Sequence, residues 1–127
     1  MKRLTIALVV LASLSCSDST DPVASASFSF RDPLTQDVVR LEITSPQGLD
    51  QAEDLLRTGV ATWAIGTPSR GDGGFNAPWT WHIDPASVTF AEVTIEACQT
   101  AASAIGDGLD YWINFGQVCI WGAVVGR

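Results

Sequence analysis

Basic residues are scarce in this chain. Its 127 residues include 14 aspartates and glutamates but only seven lysines and arginines, and Lys2 is the sole lysine. Such an acidic surface repels phosphate backbones and anionic lipid headgroups. The composition therefore disfavours binding to nucleic acids or to an anionic membrane surface.

The chain also lacks an apolar run long enough to span a bilayer, which needs about 20 residues. Its longest uncharged apolar stretch is residues 4–14, directly after Lys2 and Arg3. A short basic region followed by an apolar run of about 7–15 residues is typical of a secretory signal peptide. We therefore expect residues 1–15 to be a removable signal. The remaining five arginines and 14 acids then give a formal net charge of −9.

The region around Cys16 indicates how the exported chain is held. Ser13 and Ser15 suit ordinary signal peptidase, but the following Cys16 resembles the acylated cysteine of a bacterial lipobox. The usual lipobox has leucine where this chain has Ser13. Residues 16–23 are small and polar, as a flexible tether should be. The prediction is an outer-membrane or cell-envelope lipoprotein facing the periplasm or the exterior, and the alternative is a secreted protein.

Only three cysteines are present, an odd number for an exported chain. If Cys16 carries the lipid, Cys98 and Cys119 remain as a pair. A disulfide between them would close a loop of about 22 residues and stabilise the fold by roughly 3 kcal/mol in the chain-entropy model. Two buried free thiols are the alternative.

Residues 24–127 are enough for one domain and too few for two. Alternation of apolar and polar residues predicts strands at residues 24–31 and 39–43, and a helix follows from Ser45 to Gly59. Further strands are expected at residues 60–65, 79–84, 88–98 and 118–125, with a short helix at 99–105 and a turn at 106–110. The predicted order is β-β-α-β-β-β-(α)-β. We expect an α+β domain with one main helix on a mostly antiparallel sheet.

The segment Trp79-Thr80-Trp81-His82-Ile83-Asp84-Pro85, followed by Glu96-Ala97-Cys98, resembles a known domain family. That family is named after the N-terminal domain of a slime-mould calmodulin-binding protein, and many of its members are bacterial and exported. The resemblance extends to Cys119 and Trp121 and covers residues 24–127, although the connection 99–117 is richer in glycine and apolar residues. It implies a domain type rather than an activity. The association with calmodulin belongs to the namesake and is not transferred.

His82 is the only histidine, and it shares a predicted strand face with Asp84. Together with Glu96 these side chains could hold a divalent cation or form an acid–base centre. Alternatively, His82 joins strands by hydrogen bonds while Asp84 caps the turn at Pro85. We favour the structural interpretation, because no serine lies in a recognisable nucleophile motif and no third strong metal ligand is evident. No cofactor, catalytic residue or metal site is expected.

Five tryptophans are many for a domain of this size. Most should be in the core, but Trp79 and Trp81 are predicted to share one strand face beside the glycine-rich loop. With Arg70 and Phe75 they are candidate residues for binding a protein or glycan partner. The sequence thus predicts a non-catalytic, lipid-anchored, monomeric binding module of unknown ligand. The alternative is a metal-dependent or acid–base enzyme centred on His82, Asp84 and Glu96.

Mass spectrometry of the mature N-terminus tests the predicted anchor. We expect Cys16 to be the first residue and to carry acyl chains, so its peptide should be heavier than the unmodified sequence. A Cys16→Ser variant should lose this mass and leave the membrane fraction. An unacylated Cys16, or cleavage beyond it, would mean secretion without a tether.

Overall fold

The computed structural model describes residues 24–127 of the chain. The predicted signal peptide (residues 1–15), the tether (residues 16–23) and Cys16 lie outside the described residues. The described part forms a single small domain. In chain order its elements are β1 (Ala26–Arg31), β2 (Val38–Ile43), α1 (Pro46–Thr58), β3 (Thr62–Gly66), β4 (Pro68–Arg70), β5 (Trp81–Ile83), β6 (Thr89–Ala91), a 3₁₀ turn (Glu96–Cys98), β7 (Gln99–Thr100), α2 (Ala102–Asp107), α3 (Leu109–Phe115) and β8 (Val118–Gly126).

Six of these strands form one sheet, with β2 at one edge and β6 at the other. The order across it is β2-β1-β8-β3-β6, and the short strand β7 adds to β8 in parallel. The remaining pairings in this sheet are antiparallel, and β4 and β5 form a separate antiparallel hairpin. The predicted α+β domain, with a mostly antiparallel sheet and one main helix, is confirmed.

One face of the sheet forms the core, because alternate side chains of a strand point to opposite faces. Phe28, Phe30 and Leu41, which the alternation predicts to point inward, are buried. Helix α1 packs over β8 and β6. The other large core side chains are Val39, Ile43, Trp81, Ile83, Val88, Phe90, Ile105, Val118, Ile120 and Val124.

Helix α1 begins and ends at the predicted residues. The Ser45 hydroxyl accepts a hydrogen bond from the Gly48 N–H at 3.0 Å, and Pro46 occupies the first helical position. Gly59 adopts a left-handed conformation, with φ of 70°, and its N–H donates to the Leu55 carbonyl at 2.8 Å. These are the helix-capping interactions that satisfy otherwise unpaired backbone groups.

Gly48 allows α1 to lie directly against the chain that leads into β6. A Cβ atom at this position would be only 2.4 Å from the Val88 carbonyl oxygen. Any larger residue would therefore push the helix away from the sheet. This close approach brings the next turn of the helix within hydrogen-bonding distance of β6.

The side chain of Gln51 in α1 closes the outer edge of β6. Its Nε2 donates to the Phe90 carbonyl at 3.0 Å, and its Oε1 accepts from the Phe90 N–H at 3.1 Å. The amide therefore takes the place that a further strand would occupy. Closed edges of this kind prevent pairing with other chains.

The disulfide predicted between Cys98 and Cys119 is present. The two Cα atoms are 5.1 Å apart, and both residues are buried. Cys119 lies in β8, and Gln99, the residue after Cys98, pairs with it in the register of β7. The bond thus holds the 3₁₀ turn and β7 beside the central strand of the sheet.

The prediction of one strand over residues 88–98 is wrong. Pairing in β6 ends at Ala91, opposite Trp63, because β3 begins at Thr62 and offers no partner beyond this point. The chain then crosses towards β8, which leaves Val93 and Ile95 exposed at 83% and 62%. Their alternation with polar residues reflects this excursion and not a half-buried strand.

Other boundaries also differ from the prediction. The strand expected at residues 79–84 is limited to Trp81–Ile83, and the strand expected at 60–65 begins at Thr62. The helix expected at 99–105 is β7 followed by α2, and the turn expected at 106–110 is the junction between α2 and the unpredicted helix α3. Glycines at this junction conceal two helices that are too short to show a clear period.

Removing the Gln51 side chain tests whether it stabilises the edge of the sheet. We expect Gln51→Ala to lower the free energy of unfolding by about 1–3 kcal/mol, because the Phe90 N–H and carbonyl lose their partners. Gln47→Ala, at an exposed position of the same helix, should change it by less than about 0.5 kcal/mol. Urea denaturation measures both values. Equal effects of the two substitutions would contradict the role of Gln51.

Candidate binding surface

The loop between β4 and β5 contains most of the residues that the sequence suggested for binding. It begins at Gly71, whose N–H donates to the Thr80 carbonyl at 2.8 Å. Gly71 and Gly73 have φ values of 77° and 68°, which residues with a Cβ rarely adopt. The carboxylate of Asp72 accepts the Gly74 N–H at 2.8 Å. The glycines are therefore required by the turn itself.

Asn76 fixes this loop to the sheet. Its side chain is fully buried; Nδ2 donates to the Trp81 carbonyl at 2.7 Å, and Oδ1 accepts the Arg40 N–H at 2.8 Å. One amide thus connects the loop, β5 and the outer edge of β2. Sequence reasoning missed this residue, because a lone asparagine in a loop is ordinarily interpreted as a turn former.

Trp79 closes the same edge of β2. Its indole Nε1 donates to the Val38 carbonyl at 2.8 Å, and its half-buried ring lies 5.9 Å from that of Trp81. Trp81 is fully buried in the core. These two tryptophans do not share an exposed strand face, since Trp79 precedes β5. Both contribute to the fold, and Trp81 presents no surface to a partner.

His82 also holds the loop in place. Its Nδ1 lies 2.8 Å from the Gly71 carbonyl oxygen, and its ring packs edge-on against Phe75 with centroids 5.5 Å apart. A Cβ at Gly73 would be 2.8 Å from the ring of His82. The imidazole is therefore enclosed by the loop that it supports, as the structural interpretation predicts.

Asp84 and Glu96 have separate positions in the fold. Asp84 follows β5, where its carboxylate accepts the Ala86 N–H at 3.1 Å and so stabilises the turn at Pro85. Glu96 is exposed in the 3₁₀ turn. Among residues 24–127, no three histidine, cysteine, aspartate or glutamate side chains lie close enough to hold a metal ion. His82, Asp84 and Glu96 are thus not brought together as a metal-binding group.

An exposed aromatic cluster lies on α3, beside β4. Tyr111 and Phe115 are 61% and 40% exposed, and their rings are nearly parallel, with centroids 6.4 Å apart. Trp112 packs edge-on against both, at 4.9 Å and 6.2 Å, and its other side contacts the core. We call Tyr111, Trp112 and Phe115 the α3 patch.

The α3 patch adjoins the predicted binding region. Arg70, at the end of β4, forms an ion pair with Asp110 of α3. This contact places one of the four predicted partner-binding residues at the border of the patch. The sequence contained a signal that we did not use, because Tyr111 and Phe115 are spaced i, i+4 and so share one face of a helix.

A second aromatic pair lies on the face of the sheet opposite the core. Trp63 of β3 and Trp121 of β8 are directly paired across the strands, with ring centroids 5.2 Å apart. Both are half-buried. Because each ring covers much of the other, this pair exposes less aromatic surface than the α3 patch.

The described residues contain no helix that is both long enough and apolar enough to cross a membrane. This finding concerns residues 24–127 only.

Comparison with known proteins identifies the domain type. No curated protein and no solved structure matches the chain. The sequence does match a family model for the N-terminal domain of a binding protein, over residues 24–127. This match confirms the resemblance drawn from the Trp-x-Trp-His-x-Asp-Pro and Glu-x-Cys segments. The chain therefore belongs to the family named after the N-terminal domain of the slime-mould calmodulin-binding protein.

Proposed function

We propose that this protein is an exported, lipid-anchored and non-catalytic module that binds a protein partner through the α3 patch. The observation that carries the proposal is the exposure of Tyr111 and Phe115 side by side on one helix. Membership of a family of binding-protein domains is consistent with this role. Exposed clusters of aromatic side chains are unusual on a small domain unless they contact something.

The α3 patch is suited to binding because it is already ordered. Tyr111 and Phe115 each contact Trp112, which is anchored in the core. Tyrosine and phenylalanine have few rotatable bonds, so little conformational entropy is lost when a partner covers them. Tyrosine and tryptophan are also enriched among the residues that dominate binding energies.

Charged groups border the patch as they do in typical protein interfaces. The ion pair between Arg70 and Asp110 is largely exposed and lies beside Tyr111 in the chain. An apolar centre with a polar rim is the usual anatomy of a protein–protein interface. The Arg70 guanidinium is also a donor that a partner can use.

Export is supported by the chain itself. Lys2, Arg3 and the apolar residues 4–14 form a signal-like segment. A disulfide such as Cys98–Cys119 persists in an oxidising compartment outside the cytoplasm. In this proposal Cys16 carries the lipid, and residues 16–23 separate it from the domain.

We do not propose an enzymatic centre at His82, Asp84 and Glu96. The His82 ring contacts the Gly71 carbonyl, and the Asp84 carboxylate accepts from the backbone of its own turn. These contacts have structural explanations. No observation in the described residues favours a reaction at this place.

Affinity capture from the native envelope tests the α3 patch. We expect Tyr111→Ser combined with Phe115→Ser to reduce recovery of the partner at least about tenfold, since aromatic residues at the centre of an interface carry much of its binding energy. Quantitative mass spectrometry of the captured proteins measures the recovery. The identified partner is then titrated against the purified chain.

A second double variant serves as the control. Val93→Ser combined with Ile95→Ser removes two exposed apolar side chains that lie outside α3, and it should leave capture within about twofold of the wild type. Urea denaturation checks that both variants remain folded. Undiminished capture by the α3 variant, or an equal loss in both, would refute the proposal, as would a captured ligand that is a glycan and not a protein.

A further inference from the structure

An open cavity of about 200 Å³ lies between α1 and β6, at the edge of the sheet opposite β2. Leu55, Phe90 and Ala91 supply its apolar lining. Asp54 and Glu92 add two carboxylates, and Gln51 is also part of the wall. Both acids are exposed. The cavity therefore combines an apolar interior with a negatively charged rim.

The backbone around the cavity is held by hydrogen bonds within the domain. Gln51 is bonded at both ends of its amide to Phe90. The Thr62 hydroxyl donates to the Ala91 carbonyl at 2.9 Å. These polar groups already have partners, so a ligand would find only the carboxylates of Asp54 and Glu92 ready to accept hydrogen bonds.

Asp54 has an internal competitor for such a ligand. It forms an ion pair with Arg57, three residues later in α1, and both side chains are largely exposed. An exposed pair of this kind is weak, because water and salt screen it. A cation that also buries apolar surface in the cavity can therefore displace Arg57 from Asp54.

The charge of the domain favours a cationic ligand. The described residues contain 12 acids and five arginines, and α1 alone carries three acids against one arginine. Net negative charge raises the local concentration of cations and speeds their association. The same charge opposes an anionic ligand at this place.

The size of the cavity suits one side chain better than a whole small molecule. Its volume of about 200 Å³ is below the range of about 300–1,000 Å³ that is common for small-molecule sites. Arginine has an apolar stem that can lie along Leu55 and Phe90 while its charged head stays at the rim. Its planar guanidinium can donate two parallel hydrogen bonds to a carboxylate.

We propose that this cavity receives one arginine side chain of a protein partner, with the guanidinium between Asp54 and Glu92. The inference rests on the proposed function, since the arginine belongs to a protein partner. It adds a basic residue to the description of that partner. It does not depend on the α3 patch, because α3 does not contribute to the lining of the cavity.

Titration with a short peptide tests the cavity directly. The probe is N-acetyl-Gly-Arg-Gly-amide, added to the isotope-labelled chain purified from the envelope in mild detergent and observed by NMR. We expect saturable changes in the backbone amide signals of Leu55, Phe90 and Glu92. The matching peptide with citrulline, which has nearly the shape of arginine but no charge, should bind at least about fivefold more weakly.

Charge-removing variants distinguish the cavity from general attraction to an acidic protein. Asp54→Asn combined with Glu92→Gln should weaken binding of the arginine peptide at least about fivefold. Asp107→Asn, an exposed acid of α2 outside the cavity, should change it by less than about twofold. All of these positions are exposed, so the variants should fold normally.

Three results would overturn the inference. They are equal binding of the citrulline peptide, signal changes confined to other parts of the domain, and unchanged affinity in the double variant. The variant Tyr111→Ser with Phe115→Ser should bind the arginine peptide normally. Failure of the α3 patch and failure of the cavity are therefore separate outcomes.

Discussion

Two side-chain amides, one at each edge, close the main sheet of this domain. Asn76 bonds the outer edge of β2, where Trp79 adds a second bond, and Gln51 bonds the outer edge of β6. Unpaired edges expose backbone groups that would otherwise pair with other chains. Since Asn76 comes from the β4–β5 loop and Gln51 from α1, closing the edges also determines where these elements lie.

Both candidate surfaces depend on this arrangement. The loop held by Asn76 belongs to the hairpin whose first strand ends at Arg70, and Arg70 contacts the helix that bears the α3 patch. The amide of Gln51 keeps α1 beside β6 and so forms one wall of the cavity. The proposed partner would thus meet surfaces held by structural bonds, and little ordering would be needed on binding.

The elements that could be predicted from the sequence are those whose information is local. Helix α1 carries its own caps at Ser45 and Gly59, and β1 and β2 show a clear alternation. The extent of β6 could not be predicted, because it is set by where β3 begins at Thr62. Likewise, the residues around Arg70 indicated the correct region, but the exposed aromatics are on α3. Their exposure depends on which side of a seven-residue helix meets the core.

The burial of Asn76 links chemical ageing to aggregation. Asparagine amides hydrolyse slowly to aspartate, and at this position the change would exchange the Nδ2 donor for an oxygen facing the Trp81 carbonyl. A charged carboxylate without a donor is costly in a fully buried position. The loop would then release β2 and uncover its Val38 carbonyl and Arg40 N–H. The shelf life of this domain is therefore coupled to the integrity of a single amide, which the surrounding hydrogen bonds shield from water.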